Sequence, residues 1–133
     1  MFYEVIKLDT EKNGVYDITP TLKEIVEKSG VTDGVCVISC PHTTAGICNH
    51  SFWDPLGWYD MMDDINKAIP TRIDFKHDSD GWSDAAGHVK SAIMGTNMVR
   101  IIDEGKLVLG SSNGVLFAEF DGPRSREVWV EIY

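Results

Sequence analysis

Cations are scarce in this chain of 133 residues, where twelve Lys and Arg face twenty-one Asp and Glu for a formal charge of −9. Phosphodiester backbones are held by clustered cations, so the balance argues against nucleic acid as a partner. Long apolar runs are also missing. None approaches the roughly 20 residues of a membrane-spanning helix, and no membrane partner is expected. The amino terminus, Met1-Phe2-Tyr3-Glu4-Val5, has no basic segment ahead of an apolar one, which predicts no secretory leader and a cytoplasmic protein. Only three cysteines occur, Cys36, Cys40 and Cys48. Metal ribbons repeat close cysteine pairs at two places, and that repeat is absent, so buried reduced thiols are expected. No Pro/Gly/Ser-rich linker, internal repeat or low-complexity stretch divides the chain, and 1–133 reads as one domain.

What is present is ordinary globular composition, 43% hydrophobic and 25% charged, enough to close a core at this length. Phe2 to Leu8 is rich in aromatic and β-branched residues and reads as a strand, with Val15 to Ile18 as its hairpin partner across Asn13-Gly14. Thr19-Pro20 opens a helix with Leu22, Ile25, Val26 and Ser29 on one face, closed by Gly30. Val35 to Ser39 is an unbroken apolar run, the pattern of a strand covered on both faces. Asp54-Pro55 starts a second helix that Pro70 stops, and Ser83 caps a third running to about Met94. A hairpin over 97–109 and two strands, Val115 to Phe120 and Arg126 to Tyr133, complete the chain. In the last strand Val128, Val130 and Ile132 point inward and Glu127, Trp129 and Glu131 outward. No regular βαβ repeat appears. The expected class is α+β, with mixed, mainly antiparallel sheets packed in layers with about three helices.

The four histidines, His42, His50, His77 and His88, fall in a segment that is also acidic; residues 54–84 hold eight Asp and only three cations. Imidazole suits borderline divalent metals and carboxylate suits hard ones. Asp84 and His88 are four apart, so both project from one face of the third helix, and the loop carrying His77 can fold back toward them. His42, His77, Asp84 and His88 are therefore the candidate ligands of a divalent ion, Mg, Mn or Zn; no organic cofactor is expected. Two polar turns could cradle an anion through hydroxyls and backbone N–H groups: His42-Thr43-Thr44-Ala45-Gly46, and Gly110-Ser111-Ser112-Asn113-Gly114. Arg124, in the turn Asp121-Gly122-Pro123-Arg124, offers a planar clamp for phosphate. Glu119 falls in phase with Val115 and Phe117, so it is buried and must be paired with a cation, bound to a metal or held protonated.

Taken in order, His42-Thr43-Thr44-Ala45-Gly46 with Asn49, Asp54-Pro55, His77, Asp84, His88-Val89-Lys90-Ser91, Gly95, Leu109-Gly110 with Gly114, and Glu119-Phe120-Asp121-Gly122-Pro123-Arg124 resemble the YjbQ-like family, often called secondary thiamine-phosphate synthases. The resemblance runs from about Thr32 to Tyr133. It implies a compact α+β domain, assembled as a homotrimer, that couples hydroxymethylpyrimidine diphosphate to thiazole phosphate and releases diphosphate. Under it, Glu119, Arg124 and His77 are the expected catalytic residues. Thr43, Thr44, Asn49, Ser111, Ser112, Asn113 and Gly114 would hold the phosphorylated substrate. The family's usual Glu after the residue matching Asn49 is His50 here. The competing readings are a non-catalytic module that binds a metal or a phosphorylated metabolite, and a purely structural oligomer.

Overall fold

A computed structural model describes residues 1–133, and its elements run β1 (Phe2–Thr10), β2 (Val15–Asp17), α1 (Thr19–Ser29), β3 (Gly34–Ser39), β4 (Ala45–Ser51), α2 (Leu56–Ala68), α3 (Trp82–Met94), β5 (Asn97–Asp103), β6 (Lys106–Leu107), β7 (Asn113–Glu119) and β8 (Arg124–Ile132). Two sheets form, a five-stranded one ordered β1-β8-β3-β5-β6 and a three-stranded one ordered β2-β7-β4. Every strand pair is antiparallel. The expected α+β class with three helices is what the chain adopts.

Alternation decides which faces meet. Val128, Val130 and Ile132 of β8 are fully buried, and so are Cys36 and Ile38 of β3. They pack with Leu22, Ile25 and Val26 of α1 and with Ala45, Ile47, Val115 and Phe117 of the smaller sheet in one core. The far side of that smaller sheet carries Ala118, which joins Phe120 under Met62 of α2. Gly87 brings α3 close to β4: a Cβ there would lie 3.3 Å from Thr44 Cβ. No helix is long and apolar enough to cross a membrane.

Three expectations change. Val15–Asp17 pairs with β7 rather than with β1, whose partner is β8. The Asn13 turn (φ 65°) hands the chain from one sheet to the other, and Asn13 N–H donates to Glu119 O. Val35–Ser39 is buried on one face only, with Val35 and Val37 half-exposed. Finally, Gly81 and not Ser83 occupies the N-cap of α3, and the Ser83 hydroxyl donates to Asp121 Oδ1 at 3.1 Å. Gly30 does close α1, in the left-handed conformation that glycine tolerates best.

Candidate metal centre

Three of the four proposed ligands converge. One helical turn of α3 separates Asp84 from His88, and the irregular segment 69–81 folds His77 back over them. His77 Nε2 and His88 Nε2 each lie 3.1 Å from the same oxygen, Asp84 Oδ2. The three ligand atoms fall within 4.8 Å of one another, and the imidazole centroids are 5.3 Å apart. Asp84 is buried, while the histidines are partly open to solvent.

The hydrogen bonding fixes the chemistry of this cluster. His88 Nδ1 is 3.0 Å from Thr43 O, and a carbonyl can only accept, so Nδ1 carries the proton. In the neutral ring Nε2 then presents a lone pair to a carboxylate oxygen, and two acceptors at 3.1 Å require a positive charge between them. A backbone carbonyl orienting the remote nitrogen of a ligating histidine is the outer support that metal sites use. Edges of 3.1 Å suit one ion, because two ligands of tetrahedral zinc at about 2.0–2.1 Å stand roughly 3.3 Å apart. Two imidazoles and one carboxylate fit a borderline ion such as zinc better than magnesium or manganese, which prefer oxygen.

His42 is not in this group. Its Nε2 accepts the Glu127 N–H at 2.8 Å, and burial followed by the Arg126 charge pulls its ring below the usual histidine range. It does share a cleft of about 450 Å³ with Thr43, His88 and Ser91, so it stands beside the cluster as a neutral ring. Arg124 is exposed and donates to Asp121 Oδ2 at 2.6 Å. That bond, the Asp121 charge and, more weakly, Asp84 raise its guanidinium above the ordinary range, so it lies within electrostatic reach of the centre.

Glu119 is completely buried, as its phase in β7 requires, but it is no free catalytic carboxylate. Oε1 accepts from Thr10 Oγ1 at 2.5 Å and Arg126 Nε at 2.7 Å, and Oε2 accepts from Arg126 at 2.6 Å and Asp121 N–H at 3.1 Å. Burial alone would raise its pKa; the bonds from Arg126, Thr10 and Asp121 outweigh it and hold the carboxyl below its usual range. Of the three options left open for Glu119, the cation is the one realised. Its partner Arg126, 7% exposed, is a site residue absent from the sequence expectations, although it stands in phase with inward-facing Val128, Val130 and Ile132. Arg126 also donates to Thr44 Oγ1 at 2.7 Å, so that hydroxyl serves the interior rather than a substrate.

The expected phosphate-binding residues divide between two ends of β4. Thr43 and Thr44 sit beside the cluster, whereas Asn49 pairs with Val115, and His50 and Ser51 pair with Gly114 and Asn113. Thr43 lies two residues before β4 and Asn49 is its fifth residue, a separation of up to about 20 Å. Asn49 accepts from Arg100 and from Asn113 Nδ2, and Ser111 and Asn113 line a second cleft of about 460 Å³ with Lys23. Within one chain Asn49, Ser111, Ser112, Asn113 and Gly114 thus face a different region from the cluster, and His50 does too.

The comparisons agree with the ordered motifs. Residues 4–133 match the family model described as UPF0047 protein YjbQ-like. The chain belongs to the YjbQ-like UPF0047 family. Among YjbQ-like relatives, UPF0047 protein MJ1081 of Methanocaldococcus jannaschii is 42% identical over 92% of this chain and 86% of its own. YugU of Bacillus subtilis is 33% identical over 92% of both. A solved YjbQ/UPF0047 protein of Clostridium acetobutylicum, 42% identical, superposes with a TM-score of 0.90 over 98% of this chain and 99% of its own. The hypothetical protein APE1520 of Aeropyrum pernix reaches 0.93 at 28% identity, over 100% and 98%.

Proposed function

We propose that this chain is a divalent-metal-dependent enzyme acting on a phosphorylated small molecule, with thiamine-phosphate formation from hydroxymethylpyrimidine diphosphate and thiazole phosphate as its specific reaction. The observation that carries the reading is the pair of His77 and His88 Nε2 atoms on one Asp84 oxygen, with His88 turned by Thr43 O. His77, Asp84 and His88 hold the ion, which when bound supplies positive charge to an anionic substrate. Arg124, free on one side of its guanidinium, adds a second cation within electrostatic reach of Asp84. Departure of diphosphate builds negative charge on its oxygens, where fixed donors stabilise it most. Thr43, exposed at the edge of the 450 Å³ cleft, and the neutral ring of His42 add donors there.

Self-assembly belongs to the same proposal. The outer face of the larger sheet presents Tyr3, Val99, Ile101 and Trp129, between 42% and 61% exposed, and exposed apolar side chains on one sheet face favour association into the trimer that the family resemblance implies. The non-catalytic alternative has one observation in its favour: the engagement of Glu119 with Arg126 leaves the cluster without that carboxylate as a base.

The deciding experiment loads the chelated protein with zinc, manganese or magnesium and assays diphosphate release from the two substrates. The enzyme reading expects metal-dependent release that Asp84→Asn and Arg124→Ala abolish while the fold persists. Stoichiometric metal and ligand binding with no release establishes the binding module instead. Failure of every ion to bind removes the enzyme reading and the metal-binding form of the module.

A further inference from the structure

A second charged group lies on the other side of α3. Lys90 follows His88 by two residues, which turns it about 200° around the helix axis and away from the metal cluster. Its side chain is only 3% exposed. An ammonium has three N–H donors, yet one acceptor meets it, Asn66 Oδ1 of α2 at 2.6 Å. No carboxylate lies within 4.0 Å of Nζ. The charge that bears on it is another cation, Lys12 of the β1–β2 turn, the residue before Asn13.

Such an arrangement is costly, because a buried charge without a counter-ion loses its hydration and regains little. It is also unexpected in a chain with twenty-one acids and twelve bases, where a carboxylate neighbour would be easy to supply. The surrounding amides are ordered around it. Lys90 can only donate, so Asn66 must present Oδ1 to it, and Asn66 Nδ2 donates in turn to Asn13 Oδ1 at 3.2 Å. Lys12 and Asn13 are exposed, so this polar line runs from the buried amine to solvent.

We infer that Lys90, Asn66 and Lys12 form an oxyanion site for phosphate, free or carried on a small molecule, on the side of α3 opposite the metal centre. The anion supplies the charge that the buried ammonium lacks and accepts from its two unpaired N–H groups. This site does not depend on the metal reading, and the two fail separately.

Inorganic phosphate and glycerol phosphate, each titrated calorimetrically into chelated full-length protein, test it, with chloride at matched ionic strength as the control. Binding is expected to weaken at least tenfold in Lys90→Met and several-fold in Lys12→Glu, and to be unchanged in His77→Ala. Lys12 is exposed, so Lys12→Glu folds even if Lys90→Met does not. Binding of glycerol phosphate as tight as inorganic phosphate assigns the site to a phosphomonoester; preference for inorganic phosphate assigns it to the free ion. In phosphate-free buffer Lys90→Met should melt above the parent, because it removes an uncompensated charge. No phosphate binding by the parent, equal binding by Lys12→Glu, or loss of binding only in His77→Ala overturns the inference.

Discussion

Glu119–Arg126 and His77–Asp84–His88 are both carboxylates beside nitrogen bases, and they lie close together, yet one is complete and the other is not. Glu119 receives four donors on two oxygens and shows nothing to solvent. Asp84 Oδ2 faces two ring nitrogens, of which His88 Nε2 has no proton to give in its neutral form. A saturated acid is architecture; an acid short of positive charge is where a ligand belongs. The two are joined by two residues, since Arg126 grips Thr44 while Thr43 O turns His88.

Breaking the complete pair should have the largest effect. Arg126→Met strands a buried carboxylate, and urea unfolding at pH 7 should show a loss of about 3–5 kcal/mol. The pH dependence should also invert. In the parent, the depressed Glu119 pKa gives stability that is full above the ordinary carboxylate range and lost as pH falls through the folded value. With Arg126 gone, burial dominates and the carboxyl titrates high, so acidification should narrow the gap between variant and parent. An equal deficit at every pH would show that the charge pair does not govern this region.

Zinc sharpens the other half of the comparison. At a free concentration 100 times its Kd, a metal that binds only the folded state adds about 2.7 kcal/mol. Melting curves of the parent should rise with zinc, and those of Asp84→Asn and His77→Ala should not. Arg126→Met, if folded, should keep part of the zinc response. Smaller still is the contribution of His42. Its folded pKa lies below the ordinary value near 6.5, so its protonation costs stability as pH falls below about 6.5 towards the folded value. His42→Gln should flatten that part of the stability–pH curve, and an unchanged curve would separate His42 from it.

Much of this was legible beforehand because periodicity carries it. The 126, 128, 130, 132 phase of β8 and the four-residue spacing of Asp84 and His88 each fix a face from local geometry. Phase also announces the burial of Glu119, and it places Arg126 on the same inner side of β8 as Val128, Val130 and Ile132. The β1–β2 hairpin failed because Asn13-Gly14 specifies a turn but not which sheet receives the outgoing strand; β7 competes for Val15–Asp17 and wins. The anion residues share a type, and type says nothing about position along β4, so Asn49 and Ser111 to Gly114 lie far from Thr43. The burial of Lys90 is not legible locally, because nothing in the sequence reveals that α3 is covered there by Asn66.

His77 comes from a stretch with no repeating hydrogen bonds, whereas Asp84 and His88 ride a rigid turn of α3. An ion gripping all three would act as a buckle, fastening residues 69–81 to the body of the molecule, so that proteases should cut this strap readily in chelator and slowly in zinc.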